Sequence, residues 1–134
     1  MRKTGLLVAV AAILLSAAVP VFAHHAFSAE FDQSKPIKLS GEITKLEWVN
    51  PHAWIFIDVK GPDGKVATWM IEGASPNNLY RLGFTKESLP AGSEITVEGY
   101  QAKDGSTRAV GRNITFANGK KFFLGLTEAE GAPK

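Results

Sequence analysis

The chain has 134 residues, of which 45% are hydrophobic, so it can form one domain with a modest buried core. It contains no cysteine, which excludes disulfide bonds, a cysteine nucleophile and a lipid-modified N-terminal cysteine. The formal net charge is +2 at pH 7, and this small excess comes from two basic residues near the N-terminus, Arg2 and Lys3.

The N-terminal segment has the order of features that is typical of a secretory signal. Arg2 and Lys3 precede an apolar run over residues 5–19, Pro20 then interrupts any helix, and residues 21–23 end in a small residue that a signal peptidase accepts. We therefore predict a signal peptide over residues 1–23. Two alternatives remain: a retained membrane anchor, because about 20 apolar residues span a bilayer, and an earlier exit at residues 16–18.

Cleavage after residue 23 predicts a periplasmic or secreted bacterial protein with no stable membrane anchor. Removal of residues 1–23 from the 134 leaves 111 residues, with 13 basic and 13 acidic side chains. A balanced charge does not favour nucleic acid as a partner. We expect no nucleic acid binding, and the mature chain can have a protein of the cell envelope as its partner.

The first two predicted strands follow from alternating hydrophobicity. Residues 37–43 alternate apolar and polar side chains, and the alternation slips near Lys45, which predicts a bulge or a bend there. Asn50-Pro51 interrupts the pattern, and residues 52–60 form the second strand. One face of that strand carries Ala53, Ile55, Ile57 and Val59, and the opposite face carries His52, Trp54, Phe56 and Asp58.

The remaining elements are separated by strong turn signals. Residues 61–64 form a hairpin turn before a third strand over 66–72. Residues 75–83 predict a short helix that Ser75 caps, with Leu79 and Leu82 facing the core. Three further strands are predicted over residues 94–102, 107–116 and 121–124, after turns at Leu89–Gly92, Asp104-Gly105 and Asn118-Gly119.

A helix between the third and fourth strands is typical of OB-type barrels. We predict a mainly β fold, a small five- to six-stranded OB-like barrel with one short helix, and the alternative is a meander sandwich. The predicted divisions are the signal peptide (1–23), an N-terminal arm (24–35), the barrel (36–126) and a loose tail (127–134).

The placement of the three histidines suggests a metal site. Cleavage after residue 23 makes His24 the first residue, so its α-amine and imidazole can chelate one metal ion, and His52 can supply a third nitrogen. Nitrogen-rich sites of this kind favour copper(II) among the divalent ions, and the arrangement resembles the histidine brace of secreted copper proteins. His25 offers a competing mode of chelation, and a carboxylate from Glu30 or Asp32 can add to either. Alternatively, His52 caps a turn or pairs with Asp58.

The second candidate site is an aromatic face. Trp54 and Phe56 share the outer face of the second strand with His52, while Trp48 and Asn50 lie just before that strand. Such rings can stack on a saccharide or on the apolar side chains of a peptide, and this strand pair is a common ligand surface of OB-type barrels. Trp69 lies on the neighbouring strand. The alternative is that the aromatic side chains are covered by residues 27–31 or by Phe122-Phe123.

The sequence contains no recognisable catalytic motif. There is no Gly-x-Ser-x-Gly, no phosphate-binding glycine loop and no obvious pair of acids, so we expect no enzymatic activity. Arg108, Arg112 and Lys120-Lys121 are interpreted as solvated faces of strands.

Several segments together resemble a family of small exported bacterial proteins of unknown function, in which the Trp-x-Asn-Pro-His block is the most specific part. The segments that carry the resemblance are His24–Phe27, Phe31-Asp32, Gly41, Trp48–His52, Trp69–Glu72, Leu79–Gly83 and Leu89–Gly92. The resemblance covers nearly all of the mature chain and implies an exported OB-like domain, but it brings no activity, cofactor or catalytic residue.

The sequence thus predicts a non-catalytic binding module, with copper or a similar transition metal as the leading ligand at His24, His25 and His52. The alternative is a periplasmic domain that binds a peptide, a saccharide or an envelope partner through Trp48, Asn50, Trp54 and Phe56. A purely structural accessory of the envelope is a third interpretation.

Overall fold

The computed structural model describes residues 29–125. The predicted signal peptide, His24, His25 and the tail over 127–134 therefore lie outside the described residues. Between Phe31 and Phe123 the elements follow in the order β1 Phe31–Glu47, β2 Trp54–Lys60, β3 Val66–Glu72, α1 Pro76–Arg81, 3-10 turn Lys86–Ser88, β4 Glu94–Ala102, β5 Arg108–Phe116 and β6 Lys121–Phe123.

The strands close into a barrel of the OB type. β1 pairs antiparallel with both β2 and β4, β2 pairs with β3, and β4 pairs with β5. A parallel pairing between β3 and β5 joins the two edges, so the strands follow one another around the barrel in the order β1, β2, β3, β5, β4. β6 adds to the second half of β5. This closure and the helix between β3 and β4 confirm the predicted OB-like barrel and exclude the meander sandwich.

β1 is long because it changes partner along its length. Its first part pairs with β4 and its second part with β2, and the register with β2 shifts between Ile43 and Lys45, where the bulge is predicted. A Cβ atom on Gly41 would lie 2.3 Å from the carbonyl oxygen of Asp58, so only glycine allows the two strands to approach this closely. β1 begins at Phe31, ahead of the predicted barrel boundary at Pro36.

The register of β2 and β3 assigns their side chains to faces. Residues that lie directly opposite each other share one face of a sheet. Ile55 and Ile57 are buried, and they lie opposite Ile71 and Trp69, so Trp69 faces the core. The outer face carries the two pairs Trp54 with Glu72 and Phe56 with Met70.

α1 confirms the predicted cap but corrects one core residue. The Ser75 hydroxyl accepts a hydrogen bond from the amide of Asn78 at 3.4 Å, and Leu79 is buried. Leu82 is 47% exposed, so its predicted core position is wrong. The chain reverses at Gly83, where φ is +87°, and the fully buried Phe84 enters the core in its place.

Within residues 29–125, no helix is long and apolar enough to cross a membrane.

Candidate functional site

The candidate site lies on the outer face of the barrel, where the end of the β2–β3 hairpin meets β5 and the start of β1. Four titratable side chains gather there. His52 precedes β2, Glu72 ends β3, Arg108 begins β5, and Glu30 precedes β1. Each of the four therefore belongs to a different part of the sequence, and barrel closure brings them together.

His52 and Glu72 form the central contact of this site. Nδ1 of His52 and Oε1 of Glu72 are in direct hydrogen-bonding contact. The ladder between β2 and β3 continues past the ends of the strands, because Ala53 donates to the carbonyl of Ala74 at 3.1 Å and accepts from the amide of Gly73 at 2.9 Å. These two backbone bonds place His52 beside Glu72, so the alternative in which His52 pairs with Asp58 is wrong. Asp58 instead accepts a hydrogen bond from the Thr68 hydroxyl at 2.6 Å.

Glu72 is the one acidic or basic residue in the described part of the chain that is buried, with 7% of its surface exposed. Its register position explains the burial, since β2 flanks it on one side at Trp54 and β5 flanks it on the other at Val110. Burial raises the pKa of the Glu72 carboxyl, and the nearby charge of Glu30 raises it further. The His52 ring and the Arg108 guanidinium act in the opposite direction, because they favour the carboxylate.

A second ion pair links the start of β1 to the same place. Arg108 donates to Glu30 at 3.3 Å, and its guanidinium lies 5.6 Å from the ring centre of Phe31. The backbone carbonyl of Glu30 accepts a hydrogen bond from the amide of Lys103 at 2.9 Å. Phe31 itself is buried at 4% exposure. Arg108 is therefore a partner in a charge network and not a freely solvated strand residue.

The chemistry of His52 follows from its contact with Glu72. A histidine whose Nδ1–H is donated to a carboxylate has its lone pair on Nε2, which is the usual arrangement of metal-binding histidines. The side chain of His52 is 37% exposed, and within residues 29–125 its Nε2 makes no hydrogen bond. The exposure of the side chain allows a ligand to approach the ring from solvent.

The described residues do not by themselves complete a metal site. No group of three or more His, Asp or Glu side chains in residues 29–125 is arranged to hold a metal ion. His24 and His25 lie outside the described residues. Of the two carboxylates that can supplement them, Glu30 lies in the charge network, whereas Asp32 accepts hydrogen bonds from the amide and the hydroxyl of Ser34.

The aromatic candidates do not form one surface. Trp54 and Phe56 are half-buried on the outer face, and Lys45 lies 5.1 Å from the ring centre of Phe56. Trp48 packs against the core, and Asn50 is exposed in the loop before β2.

The predicted aromatic covers of this face have other contacts in the structure. Phe122 contacts Phe84 and Phe116 at ring-centre distances of 4.4 and 5.5 Å, and Phe31 lies under Arg108. Met70, which is 36% exposed, lies opposite Phe56 on the outer face.

Glu72 is the site residue that sequence reasoning missed. The sequence pattern identifies Glu72 only as the last residue of the third strand and assigns it no side-chain partner. The hairpin turn contains a signal that finds it, because pairing Lys60 with Val66 and counting back along both strands places Glu72 opposite Trp54 and next to His52. Arg108 gives no such signal, since it reaches the site through the parallel pairing of β3 with β5.

Comparison with known proteins gives a family without an assigned activity. The profile of the family described as "Family of unknown function (DUF6152)" matches residues 10–112. No curated protein matches the chain. Among solved structures, the mitochondrial single-stranded DNA binding protein Rim1 from S. cerevisiae is similar, with 16% sequence identity, a TM-score of 0.47, and coverage of 62% of this chain and 93% of that chain.

Proposed function

The chain belongs to the family of unknown function DUF6152, and on that premise we propose that it is an exported bacterial module that binds a transition-metal ion without catalysis. The ligands are Nε2 of His52 and nitrogens of His24 and His25. The metal is copper(II), because a set made of imidazoles and an α-amine suits that ion best among the divalent metals. The proposed location is the periplasm or the cell exterior, reached through a signal peptide over residues 1–23.

The observation that carries this proposal is the contact of His52 with the buried Glu72 carboxyl. An outer carboxylate of this kind fixes the ring orientation and the tautomer of a metal-binding histidine, and its loss typically lowers metal affinity 10- to 100-fold. A histidine that only caps a turn needs no buried carboxylate. Burying Glu72 has a cost in desolvation, so a functional role for the pair accounts for it better than packing does.

The distance along the chain also supports a shared site. Glu30 is bonded to Arg108, and Arg108 lies opposite Met70, two residues before Glu72, so the start of β1 lies at the same end of the barrel as His52. His24 precedes Glu30 by six residues, and an extended chain covers about 3.6 Å per residue, so its nitrogens can reach at most about 21 Å from there. His52 is within that range because it contacts the Glu72 carboxyl at that end of the barrel.

The charge of the site suits a cation. Glu30 and Glu72 carry two carboxyl groups, and Arg108 carries one guanidinium. With His52 neutral and both carboxyls ionised, the group has an excess of negative charge, which attracts a divalent ion and disfavours an anion.

The test is a titration of Cu(II) into protein whose first residue is His24. A matched protein carries one additional glycine before His24, which moves the α-amine away from the imidazole that it chelates with. We expect the additional residue to weaken Cu(II) binding at least tenfold, and His52→Ala to weaken it to a similar extent. Glu72→Gln should weaken binding about tenfold through the orientation of His52.

Asp58→Asn is the control for Glu72→Gln, because Asp58 also accepts a hydrogen bond on the outer face of the same hairpin and lies at its other end. Binding of Cu(II) should be unchanged in this variant. Equal affinity of the two N-terminal forms, with no effect of His52→Ala, would exclude the proposed site.

A second candidate function uses the outer face of β2 and β3. The observation that favours it is the exposure of Met70 beside the half-buried Phe56 and Trp54, which makes an apolar strip that a peptide or a saccharide can contact. Trp54→Ala should then abolish binding of such a ligand while the melting temperature changes by only a few degrees. A large drop in melting temperature would instead identify Trp54 as a structural residue.

A further inference from the structure

The outer face of β1, β4 and β5 carries a groove whose described lining residues all differ from those of the site around His52. Its volume is about 450 Å³, which is within the range of small-molecule sites in proteins. Each of the three strands contributes side chains to the groove, which are those of Pro36, Lys38, Glu98, Tyr100, Arg112 and Asn113. The groove is therefore a second, separate place where a ligand can bind.

A bulge in β5 shapes one side of the groove. Asn113 lies opposite Glu98, and Gly111 lies opposite the next residue of β4, so Arg112 is the additional residue between them. The carbonyl of Arg112 accepts a hydrogen bond from the amide of Leu124 at 2.8 Å, which holds the bulge in place. Bulges of this kind redirect side chains and are frequent beside functional sites. Here the bulge brings two consecutive polar side chains to the groove.

The base of the groove between Glu98 and Tyr100 is the backbone of Gly99. A Cβ atom on Gly99 would lie 1.9 Å from the carbonyl oxygen of Val110, so only glycine allows β4 and β5 to approach this closely. The base of the groove is therefore set by the pairing of the two strands.

The groove combines an aromatic ring with groups that donate and accept hydrogen bonds. Tyr100 is half-buried, and its hydroxyl accepts a hydrogen bond from the Arg112 guanidinium at 3.5 Å. The ammonium of Lys38 lies 3.6 Å from the carboxylate of Glu98, and the Asn113 amide can both donate and accept. Among the described lining residues, two cations face one anion.

We propose that this groove binds a neutral saccharide. A sugar ring has a C–H face that can pack on an aromatic side chain, and its hydroxyls both donate and accept hydrogen bonds. Tyr100 supplies the aromatic face, Glu98 accepts, and Asn113 does both. An apolar ligand would desolvate the Lys38–Glu98 pair without replacing its hydrogen bonds to water. A multiply charged anion would require a larger excess of cations than the groove has.

The same face extends the polar surface beyond the groove. The hydroxyls of Ser40 and Thr96 are 2.9 Å apart, and Thr115 lies opposite Thr96 on β5. A smaller hollow of about 220 Å³ adjoins these three residues. Thr96 is two positions from Glu98, which is about 7 Å along a strand, so an extended saccharide can contact both hollows. We therefore expect a hexasaccharide to bind more tightly than a single sugar.

The experiment is an NMR titration of ¹⁵N-labelled protein beginning at His24, without metal, with three neutral hexasaccharides: cellohexaose, maltohexaose and chitohexaose. We expect at least one of them to shift the backbone amides of the groove, Glu98–Tyr100 and Arg112-Asn113, with a dissociation constant below about 1 mM. No shift of these amides by any of the three at about 10 mM would overturn the proposal. Tighter binding of hexagalacturonate than of every neutral probe would overturn the assignment to a neutral saccharide.

The two tyrosines of the chain provide a matched pair of variants. Tyr100→Ala should weaken binding about tenfold, because the aromatic face is lost. Tyr80→Ala removes a tyrosine that is 70% exposed on α1 and should leave binding unchanged. Tyr100→Phe keeps the ring and should retain most of the affinity, which separates loss of stacking from loss of folding.

An Asn113→Ala variant tests the hydrogen-bonding part of the groove. Loss of one hydrogen bond should weaken binding about three- to tenfold. Full affinity in both Tyr100→Ala and Asn113→Ala would overturn the proposal, and binding that depends on Trp54 instead would place the saccharide on the outer face of β2 and β3. The groove and the metal site share no described residue, so each proposal can fail without the other. Melting temperatures of all variants verify that they are folded.

Discussion

The two ends of the β2–β3 hairpin carry similar groups in different environments. At one end Glu72 accepts from His52, and at the other Asp58 accepts from Thr68. Both contacts join a carboxylate to a side chain on the neighbouring strand, on the outer face of the same hairpin. Glu72 is buried, however, and Asp58 is only half-buried.

The difference comes from β5. Its parallel pairing with β3 extends from Met70 to Glu72, and Glu72 is flanked by strands on both sides. Val66 and Thr68, nearer the hairpin turn, have no partner on β5 and are exposed. Barrel closure therefore encloses one end of the hairpin and leaves the other open. A hydrogen-bonded carboxylate is therefore a stronger candidate for a functional group when a further strand buries it. Burial makes the loss of its hydrogen-bonding partner costly in free energy, because water cannot replace that partner.

The largest expected effect is that of reversing the charge at the enclosed end. Glu72→Lys places a buried ammonium next to Arg108 and should lower the free energy of unfolding by more than about 3 kcal/mol. Asp58→Lys at the open end should lower it by less than about 1 kcal/mol, because water solvates the new charge. Urea denaturation of both variants measures the two values, and similar losses would contradict the contrast between the ends.

Removal of the donor should give a smaller difference in the same direction. His52→Ala leaves the Glu72 carboxyl buried without its closest partner and should cost about 1 to 3 kcal/mol. Thr68→Ala leaves Asp58 accessible to water and should cost less than about 0.5 kcal/mol. Chemical denaturation at neutral pH without metal is the measurement, and a Thr68→Ala cost as large as that of His52→Ala would contradict the prediction.

The smallest expected effect is a difference in pH dependence. The pKa of Glu72 is raised, so the folded protein holds this proton more tightly than the unfolded chain does. Its contribution to stability is therefore fully present below its ordinary value of 4.5 and is lost as the pH rises through the raised pKa. Half-buried Asp32 should behave in the opposite way, because hydrogen bonds from Ser34 lower its pKa; its contribution is lost as the pH falls.

The measurement is the unfolding free energy of the wild type, Glu72→Gln and Asp32→Asn between about pH 3 and pH 7. The stability of the wild type relative to Glu72→Gln should fall with rising pH in the mildly acidic range. Relative to Asp32→Asn it should rise. Two differences with the same slope would show that burial does not control the Glu72 carboxyl.

Local pattern was sufficient to predict most of the barrel. The alternation in residues 52–60 assigned Ala53, Ile55 and Ile57 to the core, and the Asp-Gly turns located the ends of the hairpins. The helix was found from its cap and from Gly83, but Leu82 was assigned to the core because helical spacing does not show where the last turn ends. The end of α1 depends on the backbone reversal at Gly83.

Only part of the candidate site could be predicted from local sequence patterns. His52 stood out because histidines are few, but its partner Glu72 required the hairpin register, and Arg108 required the parallel pairing of β3 with β5. Parallel strands are not joined by a tight turn, so no local sequence feature predicts which residues pair. The alternative pairing with Asp58 is wrong because the partner of His52 ends the neighbouring strand, which the pattern of β2 alone does not show.

β1 pairs with both β2 and β4, and its pairing with the distant β4 affects how the chain folds. Ile37 pairs with Gly99, about sixty positions later in the sequence, and the parallel pairing that completes the barrel needs Arg108 to Val110. Chains whose native pairings are this distant fold slowly, because many residues must be ordered before the pairings form. The hairpin of β2 and β3 can form early. Glu72 is buried only after β5, in the last third of the chain, has paired with β3. For a protein that we propose to be exported, this delay favours passage through the membrane in the unfolded state.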